Sequence, residues 1–392
     1  MLLYKDHHIL WKTALNIQAK PWLTSYFIFF FFIWGIFLPF WGVWLEAKGV
    51  NSEQIGTLFS LGLLLRFCSN ITLLPRLKTA HATLQLLSLL SFSLLACLLV
   101  LVFFQGWYAL AAFTLLVNFM IGPMMPLGDI IGTRLVKQIK INYGQVRLWG
   151  SISFIVGSSF VGWSITAFGS ESILWVMVVA VFATYILSLI QFSPRLQDPT
   201  DAPKEKVALR SLLTQPKVIY FVLIMGLIQG SHGAYYAFSA IYWSSVGISE
   251  FNVALLWGIG VLAEIILMRF NDRLFKRWSI KQMCLLAILA GLLRWTVLAE
   301  TTNLGLLLIV QTFHAFTFAL AHLAAMRFIA KQQDHLMVGY QSLYSSVSLG
   351  LVMALLTYIS GWVYQPQDGS VFWWMAGILL PAFILLKKWQ VE

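Results

Sequence analysis

The sequence predicts an all-α membrane protein with twelve transmembrane helices in two six-helix pseudo-repeats. Of its 392 residues, 59% are hydrophobic and only 10% are charged, whereas a soluble domain has about 25% charged residues. Apolar stretches of about 20 residues, long enough to cross a bilayer, recur along the whole chain. Lysines and arginines gather on one side of these stretches. This pattern excludes an ordinary soluble enzyme, a disordered chain and a nucleic-acid-binding protein.

Apolar stretches between charged or turn-rich segments define the expected helices. The predicted spans are 21–44, 54–73, 83–104, 107–127, 147–168, 172–193, 216–243, 252–270, 282–300, 304–329, 340–363 and 370–387. Residues 1–20 lack the short apolar core and small-residue cleavage site of a signal peptide. They are expected to form a cytoplasmic tail or a helix at the membrane surface.

The positions of the basic residues predict the orientation of the spans. Every lysine and arginine except Lys48, Arg66 and Arg294 lies near the chain ends or loops of one face. Positively charged loops stay in the cytoplasm, so both termini are expected to be cytoplasmic. The net charge of +11 therefore reflects membrane topology, and no nucleic-acid partner is expected.

The longest polar stretch, residues 194–217, divides the chain into two halves. It is predicted to be a cytoplasmic linker between a six-helix bundle at 1–193 and a second bundle at 218–392. A shift of 198 residues aligns Gly49 with Gly247, and the loops that follow also correspond. Because each half has an even number of spans, the repeats should be related by an axis along the membrane normal. Substrate sites of such proteins lie near the midplane between the halves.

Three ionisable residues fall inside predicted spans: Arg66, Glu264 and Arg294. Each costs about 2.5–3.5 kcal/mol on membrane-insertion scales, so residues of this kind usually mark a substrate or proton path. The shift of 198 residues places Arg66 on Glu264. Glu264 and Arg294 differ in depth by roughly 7–8 Å, which predicts an ion pair between them. A pair that only fixes helix packing is the alternative interpretation.

Polar residues also follow one stripe on each of two spans. The stripes, at helical spacing, consist of Gln311, His314 and His322 on span ten and Gln229, His232 and Tyr236 on span seven. Histidine and glutamate can take up and release protons near neutral pH. The sequence has no phosphate-binding loop, so a proton gradient is the expected energy source. The candidate proton-coupling residues are Glu264, Arg294, His314 and His322.

The three charges inside spans leave a surplus of one positive charge. Such a cavity suits a monoanion, for example a carboxylate, which arginine can bind with two hydrogen bonds. Trp34 and Phe37 on span one add aromatic walls, although lipid-facing aromatic residues are an equally good interpretation. The candidate substrate-binding residues are Arg66, Gln229, His232, Tyr236, Gln311 and Trp34.

No metal or cofactor is expected. The three cysteines, Cys68, Cys97 and Cys284, lie in or beside spans without the spacing of a metal site, and are expected to be inert thiols. We expect a monomer in the lipid bilayer, with a proton and a small carboxylate as its partners.

Several segments resemble the major facilitator superfamily, and more specifically its 3-phenylpropionate permease branch, near the nucleoside and oligosaccharide proton symporters. They are FLPFWGVWL (37–45), YGQVRLWGS (143–151), QGSHGAYYAFSAIYW (229–243), AEII (263–266), LLRWTVLAETT (292–302) and HLAAMRFIA (322–330). The resemblance runs from about residue 22 to the C-terminus. It implies the major facilitator fold and proton-linked import of a small aromatic carboxylate across a bacterial inner membrane by alternating access.

The related lactose permease suggests roles for individual residues. Its coupling network uses an acid on helix eight, an arginine on helix nine and a histidine on helix ten. Glu264, Arg294 and either His314 or His322 are similar to these by position. This chain lacks the second acid that follows the helix-ten histidine. It also offers Asn118 in mid-span four, where that permease binds sugar with an acid, and these departures argue against a galactoside substrate. Asp129 and Arg147 lie at the cytoplasmic ends of spans four and five and are a candidate gate pair.

Three alternatives stay open from the sequence. One is a nucleoside or oligosaccharide proton symporter, and another is an exporter. The third is a membrane sensor without transport activity, or a membrane-bound enzyme. The short loops and the lack of a catalytic cluster at a membrane surface favour a transporter and not an enzyme.

Overall fold

The computed structural model describes residues 17–198 and 212–390. In this part of the chain, twelve helices are long and apolar enough to cross a membrane. The first six are α1 Ala19–Ala47, α2 Ser52–Leu73, α3 Ala80–Phe103, α4 Trp107–Ile139, α5 Tyr143–Phe168 and α6 Glu171–Leu189. The second six are α7 Pro216–Ser245, α8 Glu250–Leu274, α9 Ile280–Glu300, α10 Leu304–Ala330, α11 Leu336–Val363 and α12 Ser370–Lys388.

Each predicted span corresponds to one of these helices. The largest difference is in α4, which was expected to end at residue 127 but continues through Pro123 and Pro126 to Ile139. Residues 1–16 and most of the predicted linker, 199–211, lie outside the described residues. Helix α7 begins at Pro216, so the last two residues expected in the linker are helical.

A short strand pair adds to the predicted all-α architecture. Ile17–Gln18 pairs in parallel with Phe192–Ser193, which ties the start of α1 to the chain just after α6. The Trp22 indole also donates a hydrogen bond to the Leu187 carbonyl oxygen over 3.0 Å. These contacts hold the beginning and end of the first six-helix bundle together at one membrane face.

The internal repeat is visible in the turns before α2 and α8. Gly49 and Gly247 have φ angles of 81° and 87°, a left-handed conformation that favours glycine. Asn51 and Ser249 then cap the two helices with their side chains, which satisfies a free backbone N–H at each helix start. Helices α2 and α8 begin at residues 52 and 250, so the sequence shift of 198 residues is also a structural one.

The two halves are packed together at one membrane face. We call the face where the described chain begins and ends the basic face, and the other the opposite face. Helix α1 contacts α7, α2 contacts α11, and α5 contacts α8. One close approach joins Gly56 to Gly361, near the opposite face. A Cβ atom on Gly56 would lie only 2.7 Å from the Cα of Gly361, so a larger residue would force the halves apart.

A cleft separates the two halves toward the basic face. Its volume is about 830 Å³, and it lies between α2 on one side and the basic ends of α10 and α11 on the other. Arg66 and Asn70 on α2 line it, as do Gln341 and Ser345 on α11. The structure therefore has its halves closed at the opposite face and parted at the basic face.

Candidate functional site

Three helices of the second half are irregular where they meet in the interior. Helix α7 consists of two segments, Pro216–Gly230 and Gly233–Ser245. Helix α10 contains a π-helical segment, Ala315–Leu320, and α11 contains another, Tyr344–Val352. Irregular turns of this kind are frequent at functional sites. They bring polar side chains of α7 and α10 toward α8 and α9.

A chain of hydrogen bonds joins the two opposite charges of the second half. Nε2 of His314 lies 2.6 Å from the Glu264 carboxylate, and Nδ1 of the same ring lies 2.8 Å from Nη1 of Arg294. Arginine can only donate, so Nδ1 accepts; a neutral His314 ring then carries its proton on Nε2 and donates it to Glu264. The direct Glu264–Arg294 pair predicted above was therefore wrong, because the His314 imidazole lies between the two charges.

Arg294 is fully buried among polar and aromatic groups. Its Nη1 also donates to the Thr317 hydroxyl over 3.1 Å, and its Nη2 donates to Oε1 of Gln311 over 2.7 Å. The Tyr235 ring centre lies 4.4 Å from the guanidinium carbon. Within the described residues, Nε of Arg294 and Nε2 of Gln311 have no hydrogen-bond partner. Such buried donors cost about 1–3 kcal/mol each when unpaired, so the cluster is suited to bind a further acceptor.

The polar residues of span seven join the same cluster from the other side. His232 Nδ1 lies 3.0 Å from the Gln229 carbonyl oxygen, and its Nε2 lies 3.0 Å from the Thr317 hydroxyl. The Tyr236 ring stacks on His232 with 5.5 Å between ring centres. The structure thus brings Gln229, His232 and Tyr236 of α7 together with the polar stripe of α10.

His322 does not continue the hydrogen-bonded chain of His314. Its Nδ1 lies 3.1 Å from the Tyr344 hydroxyl on α11. The predicted stripe assumed 100° per residue throughout span ten, but the π-helical segment Ala315–Leu320 has more residues per turn. That segment changes the angle between His314 and His322 around the helix axis, and the single stripe through Gln311, His314 and His322 stays a prediction.

The buried charge of the first half has a simpler environment. Nε of Arg66 donates to Oδ1 of Asn118 over 2.7 Å, and the Asn118 amide donates to the Thr114 carbonyl oxygen over 2.8 Å. The ring centres of Trp34 and Phe37 lie 4.8 and 5.3 Å from the guanidinium carbon. The structure therefore places Trp34 and Arg66 side by side, with Arg66 in the wall of the cleft.

Asp129 and Arg147 lie together within the first half. Nε of Arg147 is 3.9 Å from Oδ1 of Asp129, and the Tyr143 hydroxyl donates a hydrogen bond to the same oxygen. The Arg147 guanidinium also lies 4.1 Å from the centre of the Phe31 ring. This geometry joins α4 to α5 near the basic face rather than joining the two halves.

Four partners of the candidate residues were not themselves predicted as site residues: Asn118, Tyr143, Thr317 and Tyr344. Two of them had a usable signal. Tyr143 lies four residues before Arg147, and Thr317 lies three residues after His314, so each pair shares a helix face. Asn118 and Tyr344 depend on contacts between helices, which the sequence does not specify. Among the described residues, no group of three or more His, Cys, Asp and Glu side chains could hold a metal ion.

Comparison with known proteins identifies the family. The chain matches the sequence profile of the MFS_1-like family over residues 21–376. It belongs to this family. It is also 37% identical to the "Probable 3-phenylpropionic acid transporter" of Escherichia coli K12 over 379 residues, 95% of this chain and 98% of that protein. With the "Maltose permease" of Geobacillus stearothermophilus it shares 25% identity over 92% of this chain and 91% of that protein.

Solved structures confirm the fold. A mutant of the nucleoside transporter NupG has a TM-score of 0.84 at 15% identity, over 95% of this chain and 100% of that one. A mutant of the peptide transporter POT has a TM-score of 0.70 at 13% identity, over 94% and 93% of the two chains. Together with the family match and the 37% identical relative, this fold makes the chain a multi-pass transporter of the major facilitator type, and not an enzyme. The expected twelve helices, the pseudo-repeats and the family resemblance are confirmed.

Proposed function

We propose that this transporter imports a small aromatic monocarboxylate of the 3-phenylpropionate type together with a proton, by alternating access. One observation carries the proposal. A buried Glu264–His314–Arg294 chain in the second half accompanies a cleft-lining arginine, Arg66, in the first half. The 37% identity with a relative named as a 3-phenylpropionic acid transporter supports the substrate class.

Arg66 is the proposed carboxylate ligand. Within the described residues, Arg66 makes one hydrogen bond, from Nε to Asn118, which leaves its two outer nitrogens for the substrate. Among the described residues, no carboxylate lies within ion-pair distance of Arg66. Two parallel N–H donors match the geometry of a carboxylate. The Trp34 and Phe37 rings beside the guanidinium supply apolar surface for the substrate's aryl group.

The second half supplies the other substrate contacts in this proposal. Gln311 and Arg294 carry unpaired donors there, and Gln229 carries an unpaired acceptor. His232 and Tyr236 form an adjoining aromatic surface. When the two halves close around the midplane, these groups would complete the site that Arg66 begins, as expected for a site between repeats.

Glu264 is the proposed proton acceptor. An ionised Glu264 accepts the Nε2–H of His314, whereas a protonated carboxyl loses the charge that strengthens this bond. His314 holds Arg294 through its other nitrogen, so protonation of Glu264 would alter contacts on α8, α9 and α10 together. His322, hydrogen-bonded to Tyr344, is the second candidate for proton transfer.

The proposed orientation follows the basic residues. The basic face would be cytoplasmic, so both termini would lie on the cytoplasmic side of a bacterial inner membrane. The cleft would then open inward, and the Asp129–Arg147 pair would brace α4 and α5 beside it as part of the inner gate. We expect the functional unit to be a monomer.

Uptake by reconstituted protein tests this proposal. Purified transporter in proteoliposomes with a more acidic exterior should accumulate labelled 3-phenylpropionate above its equilibrium level. A pH difference of one unit allows about tenfold accumulation with one coupled proton, because it corresponds to about 1.4 kcal/mol. A protonophore should abolish the accumulation. Unlabelled maltose and uridine serve as competitors, and selective inhibition by either would replace the carboxylate with that substrate. No gradient-dependent uptake would overturn the proposed function.

A further inference from the structure

The cleft contains a second polar group beside Arg66. Asn70 lies one helical turn further along α2 toward the basic face, a rise of about 6 Å, and both residues line the cleft. In the described structure, Oδ1 of Asn70 is buried and has no hydrogen-bond partner. A buried acceptor without a donor is costly, so this position is suited to a ligand that carries an N–H or O–H group.

The facing wall on α11 also offers acceptors. Its polar lining residues are Gln341, Ser342, Ser345 and Ser346. The Ser342 and Ser346 hydroxyls donate to carbonyl oxygens of their own helix over 2.8 and 2.7 Å, so their oxygen atoms can accept but their protons are already used. Among the described lining residues, Arg66 is the one with a charge. The cleft beyond Arg66 is therefore rich in acceptors and has no cation to hold a second anionic group.

We propose that the cleft recognises a ring-hydroxylated aryl carboxylate. The carboxylate would bind Arg66, and the phenolic O–H would donate to Oδ1 of Asn70, with the α11 serines as additional acceptors. This inference rests on the proposed function and narrows its substrate class. A plain phenyl ring leaves Asn70 unpaired, whereas a phenol pairs it. Sites that hydrogen-bond a substrate hydroxyl discriminate against analogues that lack it.

Competition for uptake tests the inference with two matched compounds. One is 3-phenylpropionate with a hydroxyl on the ring, tested at each ring position, and the other has a methyl group at the same position. Each competes with labelled 3-phenylpropionate for uptake by the unsubstituted protein and by Asn70→Leu. The preference for the hydroxyl compound is the half-inhibitory concentration of the methyl compound divided by that of the hydroxyl compound. This preference should be about 5- to 10-fold greater in the unsubstituted protein than in Asn70→Leu, as expected for one hydrogen bond.

Two further variants keep the result interpretable. Ser345→Ala, on the facing wall, should reduce the hydroxyl preference less than Asn70→Leu does. Asn271→Leu removes an asparagine at the basic end of α8 whose amide donates to Asp272, and it should leave the ratio unchanged. Uptake of labelled 3-phenylpropionate by every variant shows that each has folded.

The outcomes separate the inference from the proposed function. If no position of the hydroxyl changes the ratio between the unsubstituted protein and Asn70→Leu, while 3-phenylpropionate is still transported, the inference is wrong and the proposed function stands. If the unsubstituted protein transports none of the aryl carboxylates, both are wrong. If Asn70→Leu alone loses 3-phenylpropionate uptake, Ser345→Ala decides the inference. It must then show a smaller preference for the hydroxyl compound than the unsubstituted protein, and an unchanged preference would overturn the inference.

Discussion

The two halves of this transporter carry opposite charges at equivalent positions. Arg66 and Glu264 are related by the 198-residue shift, and each is paired with a polar side chain of the fourth helix in its half. Arg66 pairs with Asn118 on α4, and Glu264 pairs with His314 on α10. The repeat has therefore kept the position of the polar contact while the chemistry of the two halves has diverged.

The surroundings of the two charges differ as much as their signs. The Arg66 contact ends at a backbone carbonyl oxygen of α4, and Arg66 remains in the wall of the cleft. The Glu264 contact continues through His314 to Arg294 on a third helix. A charged side chain in the wall of a cleft is suited to bind a substrate. A charged side chain that is connected by hydrogen bonds to two other helices is suited to change the packing of those helices. The proposed division of labour rests on this difference.

Removing the acid of the second half should have the largest effect. Glu264→Gln keeps the side-chain size but cannot take up a proton as a carboxylate does. We expect accumulation under a one-unit pH gradient to fall from about tenfold to the equilibrium level, because the proton gradient no longer drives uptake. Exchange of labelled for unlabelled substrate should continue. Accumulation and exchange are measured in the same proteoliposomes.

A matched variant makes this result specific. Glu53→Gln changes an exposed glutamate at the start of α2 and should preserve both accumulation and exchange. Full accumulation by Glu264→Gln would remove Glu264 from the coupling role. A loss of exchange as well as accumulation would assign Glu264 to substrate binding instead.

Removing the cation of the first half should affect substrate affinity rather than coupling. Arg66→Gln loses a charge-assisted contact of about 1.5–3 kcal/mol, so the half-saturating substrate concentration should rise about 10- to 100-fold. Arg66→Lys keeps the charge without the paired donors and should lie between. Arg76→Gln, an exposed arginine near the end of α2, is the control. An unchanged half-saturating concentration in Arg66→Gln would place the carboxylate elsewhere.

The sequence was sufficient to predict most of the fold. Hydropathy and basic residues predict twelve spans, because a bilayer imposes a length and loops carry the charges. The pairing of Gly49 with Gly247 predicts the repeat, and both glycines indeed adopt the same left-handed turn. The end of α4 was missed because hydropathy marks only the apolar part of a helix, whereas α4 continues through Asp129 and Arg134 to Ile139.

The candidate site was predictable in its residues but not in its connections. Buried Arg66, Glu264 and Arg294 stand out because charges inside a span are rare. The bridging position of His314 depends on how α8, α9 and α10 approach one another, which no spacing in the sequence specifies. The contact of His322 with Tyr344 depends on how α10 packs against α11, and the π-helical segment Ala315–Leu320 has no signal in the apolar sequence.

The smallest expected effect compares two glycines that the repeat aligns, Gly62 and Gly260. A Cβ atom on Gly62 would lie 2.6 Å from Cγ of Asn118, whereas one on Gly260 would meet His314 at an ordinary 3.4 Å. Gly62→Ala should therefore displace the partner of Arg66, at an overpacking cost of about 1–3 kcal/mol. Gly260→Ala should be neutral or slightly stabilising, since alanine favours a helix over glycine by about 1 kcal/mol.

Thermal unfolding of the purified protein and substrate affinity check this comparison together. Gly62→Ala should lower the melting temperature by a few degrees and weaken substrate binding, because Asn118 no longer holds Nε of Arg66. Gly260→Ala should change neither. Equal changes in melting temperature and affinity in both variants would mean that the second and fourth helices of each half accommodate an added methyl group equally well. The tight contact at Gly62 would then not be what positions Arg66 in the cleft, and the difference between the halves would lie in charge alone.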